Sequence, residues 1–338
     1  MSNDILFETN NNLAIITLNR PKALNALSYD MFLQLQEKLT QWENNAAIKA
    51  VLVRSNCEKA FCAGGDIRAV YENKDKREAI NAFFQLEYDV NKMIFHYSKP
   101  YIALIHGITM GGGIGISTPG SNCVAADTLR WAMPETTIGF FPDVGATYYL
   151  SRLPYFIGVY LGLTSHAISA TDALRLKLIN QVVPYDQFDV IEKRLTEENF
   201  AADDFNRVTE IINSFQSTPD DINDLPLEKI AACFCFSSIE EIMNALQNDN
   251  SEWSQETITQ LLQRSPTSLK VTLHQLNLAK NKSFDEVIAM DLHIARIMLE
   301  NHDFYEGVRA ALIDRDKNPQ WEPETLSDVT EESIKRYF

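Results

Sequence analysis

The segment YIALIHGITMGGGIG, residues 101–115, joins a β-branched apolar run directly to a cluster of glycines. The first part, YIALIH (101–106), predicts a buried strand. The glycines that follow predict a tight turn and the start of a helix, because glycine lets the backbone take conformations that other residues avoid. The segment AFCAGGDI (60–67) repeats the order of strand, glycines and helix start. These two segments indicate an α/β chain.

On both sides of this segment, further short apolar runs predict strands, and helical patterns lie between them. Ser28 is in place to cap one helix, and ATDALRLKLI (170–179) predicts another. Alternation of strands and helices implies a layered α/β fold, and strands this short with tight returns also suit a β-β-α spiral. The additional predicted strands are LAIITL (13–18), AVLVRS (50–55), NCVAAD (122–127) and Gln181 to Val183.

The composition changes along the chain and predicts three segments. Residues 1–185 form the α/β core, residues 186–252 an acidic helical insertion, and residues 253–338 a helical C-terminal region that closes over the active site. The clearest loop of the insertion is STPDDINDLP (217–226). Ser283 and Glu286 form a capping box at the start of the last long helix.

The totals of the chain limit its class. Its 338 residues, 45% of them hydrophobic, are enough for a large core, and the formal net charge is −16. So acidic a chain is a poor nucleic-acid binder, although local cations and backbone N–H groups can still bind a small anion. The five dispersed cysteines predict reduced thiols. No apolar run reaches membrane-spanning length and MSNDILFETN is unlike a signal peptide, so we expect no membrane partner and a cytoplasmic location.

The two glycine segments leave two interpretations open. Backbone N–H groups at helix N-termini point outward, so two converging loops would form an oxyanion hole. Alternatively, the glycines serve only tight turns and close packing. Neither GxGxxG nor GxxxxGK[ST] occurs, which disfavours a dinucleotide or P-loop site. Ser117 lies in GISTP rather than GxSxG, which disfavours a serine hydrolase.

Two carboxylates lie among apolar residues in PETTIGFFPD (134–143), namely Glu135 and Asp143. By residue type alone they are either turn and cap residues or catalytic acids. His106 ends a strand and is predicted to be a packed or hydrogen-bonded core residue. The remaining histidines show no metal-ligand spacing, so no metal site is predicted.

Four ordered blocks resemble the enoyl-CoA hydratase/isomerase (crotonase) superfamily: NRPKALNAL (19–27), AFCAGGDI (60–67), KPYIALIHGITMGGGIG (99–115) and MPETTIGFFPDVGA (133–146). The resemblance implies a crotonase-like β-β-α spiral core and an acyl-CoA substrate. By position it also implies that the backbone N–H groups of Gly65 and Gly112 polarise the thioester carbonyl. The neighbouring residues implied to contact the substrate are Gly64, Asp66 and Gly111, with a structural cap as the alternative role of Asp66.

Within this superfamily, the chain is most similar to the 3-hydroxyisobutyryl-CoA hydrolases. Hydratases carry a glutamate just after the GGG loop, where this chain has Gly115. DFYEGVRAALIDRDKNPQW (303–321) resembles the C-terminal signature of the hydrolase subgroup. FFQLEYDVNKMI (83–94) resembles its substrate-contacting helix, which implies Glu87 as a ligand contact, with a solvated surface glutamate as the alternative.

The resemblance implies hydrolysis of a short branched 3-hydroxyacyl-CoA, such as 3-hydroxyisobutyryl-CoA in valine catabolism. Glu135 would attack the thioester or activate water, Asp143 would contact the substrate hydroxyl or assist proton transfer, and no cofactor would be needed. The alternatives are a hydratase or isomerase of the same fold and a non-catalytic acyl-CoA binding protein. A homo-oligomer is possible in this superfamily, and three cations are either phosphate contacts or surface charges: Arg20, Lys22 and Arg68.

Overall fold

The computed structural model describes residues 3–198, 200, 204–215 and 225–338. Most of the predicted loop STPDDINDLP, residues 217–224, lies outside the described residues. The chain divides into two compact units, which are described separately below. The first unit contains residues 1–66, 89–131 and 168–224, and the second contains residues 67–88, 132–167 and 225–338.

The strands of the described residues form a six-stranded sheet and a four-stranded sheet. The larger sheet has the order β1-β2-β3-β5-β7-β10, and the smaller has the order β4-β6-β8-β9. The strands are β1 Ile5–Asn10, β2 Leu13–Leu18, β3 Ala50–Ser55, β4 Ala60–Cys62, β5 Tyr101–Ile105, β6 Ile108–Met110, β7 Asn122–Ala126, β8 Arg130–Ala132, β9 Ile168–Ser169 and β10 Gln181–Val183.

All neighbouring strands of the larger sheet are parallel except β1, which pairs antiparallel with β2. Strands β2, β5 and β7 are buried along their whole length. Parallel strands covered on both faces need continuous apolar runs, which explains why the runs found in the sequence are uninterrupted. One face packs on an apolar cluster that includes Leu52, Leu104, Ile191 and Ile211.

The order of the strands confirms the β-β-α spiral. β3, β5 and β7 lie in the larger sheet, and each is followed by a short strand of the smaller sheet, β4, β6 or β8. The predicted strand YIALIH ends one residue early, at Ile105, and after a break at residues 106 and 107 the chain enters β6 before it reaches the glycine cluster. The expectation that this strand runs directly into the glycines was therefore wrong.

The helices begin where the sequence placed their caps. The Ser28 hydroxyl accepts the Met31 N–H at the start of the first helix, and Ser283 with Glu286 forms the predicted capping box. The predicted helix 170–179 ends early, at Arg175. The helices are α1 Tyr29–Glu43, α2 Ile67–Glu72, α3 Arg77–Phe95, α4 Gly112–Gly115, α5 Ala146–Leu150, α6 Ile157–Thr164, α7 Ala170–Arg175, α8 Phe188–Glu197, α9 Asp204–Asn213, α10 Leu227–Cys233, α11 Ile239–Asp249, α12 Glu252–Leu262, α13 Pro266–Ala279, α14 Phe284–Met298, α15 His302–Val308 and α16 Glu331–Lys335.

The second unit is mainly helical, and aromatic side chains pack in its interior. The Phe140 ring lies 5.6 Å from that of Phe84 and 5.2 Å from that of Phe304, between ring centroids. Among the described helices, none combines the length and the apolar composition needed to cross a bilayer.

The acidic segment 186–252 contains helices from both units. α8 and α9 belong to the first unit, and α10 and α11 belong to the second. The predicted boundaries at residues 185 and 252 stay predictions, because compact units are defined by contacts and the predicted segments by composition.

Candidate active site

The two glycine loops of the first unit lie side by side. Strands β4 and β6 pair in parallel, so the loops that follow them leave the same edge of the smaller sheet. A Cβ atom built on Gly64 would lie 3.6 Å from the Gly112 nitrogen. The convergence that the sequence left open therefore holds for these two loops.

Helix α4 approaches strand β4 so closely that only glycine fits at residue 113. A Cβ atom there would lie 2.5 Å from the Cys62 carbonyl oxygen, well inside normal contact. Gly113 thus serves close packing, while Gly64 and Gly112 lie where the two loops converge.

The Gly65 and Gly112 N–H groups remain available as donors. In the first loop, Leu27 N–H donates to the Gly64 carbonyl, and Asp66 N–H donates to the Leu27 carbonyl. Neither the Gly65 N–H nor the Gly112 N–H donates to a backbone carbonyl within the described residues. Two such N–H groups on adjacent loops are what an oxyanion hole requires.

Asp66 is held by an ion pair in the first unit. Its carboxylate accepts a 2.6 Å hydrogen bond from the Arg20 guanidinium, which also donates to the Ala26 carbonyl. The contact agrees with a structural role for both residues, and the predicted substrate contact of Asp66 stays a prediction. In the second unit, Arg68 donates to the Leu312 carbonyl at 2.6 Å.

The two acids of PETTIGFFPD are buried in the second unit. Glu135 begins a 3₁₀ turn, Glu135–Ile138, and is 8% exposed. Asp143 is 5% exposed and follows Phe140 and Phe141, which are also buried. Two carboxyls in apolar surroundings lose hydration, and proteins accept that cost mainly where the groups are paired or used.

Helix α3 brings two further polar groups to Asp143. The Tyr88 hydroxyl donates a 2.7 Å hydrogen bond to Asp143 Oδ2. Glu87 is 2% exposed, so the alternative of a solvated surface glutamate was wrong. The sequence did not single out Tyr88.

Burial changes the protonation of these acids. Desolvation raises the pKa of Asp143 to about 7, although the Tyr88 hydrogen bond opposes the rise. Desolvation and then the charge of Asp143 raise the pKa of Glu135 well above its ordinary value, and the same two causes act on Glu87. Carboxyls with pKa values moved toward neutrality are suited to acid–base work at physiological pH.

One oxygen of Glu135 is free. Its Oε2 is buried and has no hydrogen-bond partner among the described residues. An unpaired carboxylate oxygen in such surroundings is costly in a purely structural residue. This feature favours the catalytic interpretation of Glu135.

Besides Tyr88, two polar residues near Asp143 were not identified from the sequence, Asp291 and Gln275. Asp291 is 0% exposed and contacts the Gly145 N–H and the Gln275 side chain. A signal for Asp291 was present, because it lies at helical spacing within the buried apolar stripe of α14. A single carboxylate on such a stripe needs a buried partner.

The buried histidine and the cysteines are the remaining groups that the sequence analysis considered. His106 is buried, and its Nε2 lies 2.8 Å from the Cys57 carbonyl oxygen, which confirms the core histidine. All five cysteines are thiols rather than members of a disulfide, in agreement with the prediction. Within the described ranges, no three His, Cys, Asp or Glu side chains are grouped to hold a metal ion. Catalysis without metal or cofactor stays a prediction.

Comparison with known proteins identifies the class. Residues 13–338 match the family model of enoyl-CoA hydratase/isomerase. The chain therefore belongs to the enoyl-CoA hydratase/isomerase family, and it is an enzyme of that family. The match extends well beyond residue 146, where the last of the four recognised blocks ends.

The curated relatives share one name. The human protein named "3-hydroxyisobutyryl-CoA hydrolase, mitochondrial" is 39% identical, over 99% of this chain and 88% of its own length. The mouse protein of the same name is 40% identical over the same shares of both chains. The predicted resemblance to this subgroup is confirmed. The relatives are named mitochondrial, and the cytoplasmic location predicted here stays a prediction.

The solved structures carry other names. A carnitinyl-CoA dehydratase from Mycobacterium thermoresistibile matches with a TM-score of 0.90 and 34% identity, over 100% of this chain and 96% of that one. An enoyl-CoA hydratase from Rhodobacter sphaeroides 2.4.1 matches with a TM-score of 0.90 and 29% identity, over 99% and 96%. These matches confirm the predicted fold class.

Proposed function

We propose that the protein hydrolyses the thioester of a short branched 3-hydroxyacyl-CoA, 3-hydroxyisobutyryl-CoA in the first instance, to the free acid and coenzyme A. Such a reaction belongs to valine catabolism. The curated relatives named 3-hydroxyisobutyryl-CoA hydrolase, at 39% and 40% identity, support this substrate. The buried Glu135 carboxyl with its free Oε2 is the observation that carries the chemistry.

We assign the reaction to backbone donors and carboxyls. The N–H groups of Gly65 and Gly112 would stabilise the negative charge that develops on the thioester oxygen. Glu135 would either attack the carbonyl carbon and expel CoA thiolate, leaving an anhydride for water to cleave, or remove a proton from the attacking water. The raised pKa of Glu135 makes its ionised form a stronger base and a stronger nucleophile, and both roles require that ionised form.

Asp143 and Glu87 are assigned to the substrate hydroxyl and to proton transfer. Asp143 has a pKa of about 7, so both of its protonation states are present near neutral pH. A group with that property can take a proton and return it in one turnover.

The second candidate is a hydratase or dehydratase of the same fold. The names of the two solved structures favour it. The residue after the GGG loop opposes it, because Gly115 supplies no carboxyl for a second acid. Paired acids are needed to add water across a double bond in this family's hydratases.

The test is thiol release from racemic 3-hydroxyisobutyryl-CoA, with hydration of crotonyl-CoA followed in parallel. We expect thiol release by the wild type and none above background by Glu135→Gln, because glutamine keeps the shape but neither attacks nor accepts a proton. Binding of the acyl-CoA, measured by calorimetry, should persist in the variant. Glu37→Gln on the exposed face of α1 is the matched control and should keep full activity.

Hydration without thiol release would replace this proposal with the second candidate. Binding of acyl-CoA without any turnover across a substrate panel would indicate a non-catalytic binding protein. Near-normal hydrolysis by Glu135→Gln would refute the role of the glutamate.

A further inference from the structure

Two buried side chains from the C-terminal helices hold both flanks of Asp143. Gln275 on α13 donates through Nε2 to the Pro142 carbonyl at 3.1 Å and to Asp291 Oδ1 at 2.7 Å. Asp291 on α14 accepts the Gly145 N–H through Oδ2 at 2.9 Å. The residue before Asp143 and the second residue after it are therefore tied to one hydrogen-bonded pair.

The backbone between these ties is unusual. Val144 has a φ of 52° and Gly145 has a φ of 77°, so two consecutive residues adopt the left-handed region. A valine in that region is strained, and such conformations persist only where the surroundings over-determine them. A Cβ atom at Gly145 would also collide with the Phe284 ring of α14, at 2.5 Å. Helices α13 and α14 thus hold the backbone conformation on both sides of Asp143.

We propose that Gln275 and Asp291 are positioning residues, which orient the Asp143 carboxyl through hydrogen bonds to Pro142 and Gly145. The proposal rests on the function proposed above for Asp143. Both residues are 0% exposed, so neither serves as a surface group. Burying an amide and a carboxyl costs free energy that an apolar pair of the same volume would avoid. A role for their hydrogen bonds in holding the backbone around Asp143 would explain why this cost is retained.

The network has a definite donor pattern. Both Asp291 oxygens accept, and Gln275 Nε2 supplies both of its bonds, while its Oε1 has no partner within the described residues. Asparagine at residue 291 presents one oxygen and one NH₂ group. Whichever way it turns, a donor then faces either the Gly145 N–H or the Gln275 amide.

The first variant is therefore Asp291→Asn. We expect its kcat for thiol release to fall roughly 10- to 100-fold, because small misplacements of a reacting group have effects of this size. KM should stay within about two-fold, since Asp291 is not assigned a substrate contact. If this variant does not fold, Gln275→Met tests the same network and keeps the bond between Asp291 and Gly145.

A second variant separates positioning from stability. Asp303 is also buried, and it accepts the Glu322 N–H at 2.8 Å and the Ser265 hydroxyl at 2.5 Å. Asp303→Asn removes the same kind of acceptor elsewhere in the second unit. We expect it to lower Tm about as much as Asp291→Asn does, with kcat within about two-fold of wild type. Equal Tm losses with an unchanged kcat in both variants would overturn the proposal.

A compensating pair gives a rescue test. In the double variant Asp291→Asn with Gln275→Glu, the carboxyl oxygen that takes the place of Gln275 Nε2 can, when protonated, donate its O–H to the Pro142 carbonyl and accept from the asparagine NH₂ through a lone pair. The oxygen of the introduced asparagine then receives the Gly145 N–H. We expect this pair to recover most of the kcat lost in the single variant, and failure of the well-folded pair to do so would count against the network.

A readout without turnover keeps the inference independent of the proposed activity. The titration of Asp143 can be followed by NMR of ¹³C-labelled aspartate carboxyls, assigned with Asp143→Asn. The described titratable groups that act on this carboxyl are Tyr88, Glu87, Glu135 and Asp291. Gln275→Met removes the hydrogen bonds to Pro142 and Asp291 without removing a charged group. A moved Asp143 carboxyl meets the titratable groups at other distances, so this variant should shift the midpoint by about half a pH unit or more.

An unchanged midpoint would refute the positioning role even in a chain without activity. A wild type that releases no thiol, combined with a shifted midpoint, would refute the proposed function alone.

Discussion

At the scale of single residues, desolvation decides the behaviour of Asp143. The Tyr88 hydroxyl donates to this carboxyl and by itself lowers its pKa, yet burial outweighs that effect and the pKa lies at about 7. The folded chain thus holds a proton on Asp143 over a range where an ordinary aspartate has released it. Destabilised carboxylates of this kind are typical of active sites, where function is retained at a cost in stability.

The replacement Asp143→Asn tests, through the pH dependence of stability, whether the pKa of Asp143 is raised in the folded chain. A carboxyl with a raised folded-state pKa binds more protons in the folded chain than in the unfolded chain between about pH 4 and pH 7. Its contribution to stability is therefore full below about pH 4 and is lost as the pH rises through about 7. Asparagine does not titrate, so the Tm of the variant relative to wild type should rise across this window and level off above it.

Thermal unfolding measured from about pH 4 to pH 9 checks this expectation. The matched control is Asp186→Asn, which makes the same replacement at an exposed position. A Tm difference for Asp143→Asn that stays flat with pH would show that the folded carboxyl titrates normally.

At the scale of elements, the approach of α4 to β4 sets the geometry of the glycine loops. The N-terminus of α4 carries the Gly112 N–H, and residue 113 is pressed against the Cys62 carbonyl of β4. Paired parallel strands bring the two loops to one edge, and the absence of a side chain at residue 113 sets their separation. Sequence predicted both elements but not their distance.

We expect Gly113→Ala to lower the free energy of unfolding by about 1–3 kcal/mol, since the added methyl group meets rigid backbone and α4 has to move. Urea unfolding measures the loss, and thiol release should fall with it because the Gly112 donor moves too. The control is Gly162→Ala in α6, where the nearest atom to the added Cβ is a terminal methyl of the Leu276 side chain, at 3.2 Å, rather than backbone. A loss for Gly113→Ala no larger than for Gly162→Ala would show that the contact yields easily.

For the whole molecule, the excess of acidic over basic residues is the main electrostatic feature. The formal net charge of −16, in which every carboxyl is counted as ionised, opposes compaction at neutral pH. The charge also argues against nucleic acid as a partner, in agreement with membership of a family named for acyl-CoA chemistry.

Screening should therefore stabilise the protein. We expect Tm at pH 7 to rise by a few degrees between roughly 0.01 and 0.15 M NaCl, because the Debye length shrinks across this range. At pH 4.8, close to the isoelectric point of the chain, the same change of salt should have little effect. Equal slopes of Tm against salt at both pH values would show that net repulsion does not limit stability.

Local patterns in the amino-acid sequence are sufficient to predict the larger elements and the class of the protein. Uninterrupted apolar runs, as in LAIITL, are read locally, and so are the Ser28 cap and the Ser283–Glu286 box, because each depends on neighbours within a few residues. The ordered motifs also led to the family and to Glu135 and Asp143. The short strands Ile108–Met110, Arg130–Ala132 and Ile168–Ser169 were missed because a run of two or three residues has no periodicity.

The surroundings of the two acids depend on how distant segments of the chain pack together. The tertiary structure buried Glu87, placed Tyr88 on Asp143 and brought Asp291 and Gln275 to the flanks of that residue from more than 130 positions along the chain, as in the bond from Gln275 to Pro142. Hydration, charge proximity and hydrogen bonding set a pKa, and all three depend on which distant segments meet in space. A local pattern can identify a candidate carboxylate, but the packing around that carboxylate determines its pKa and its hydrogen bonds.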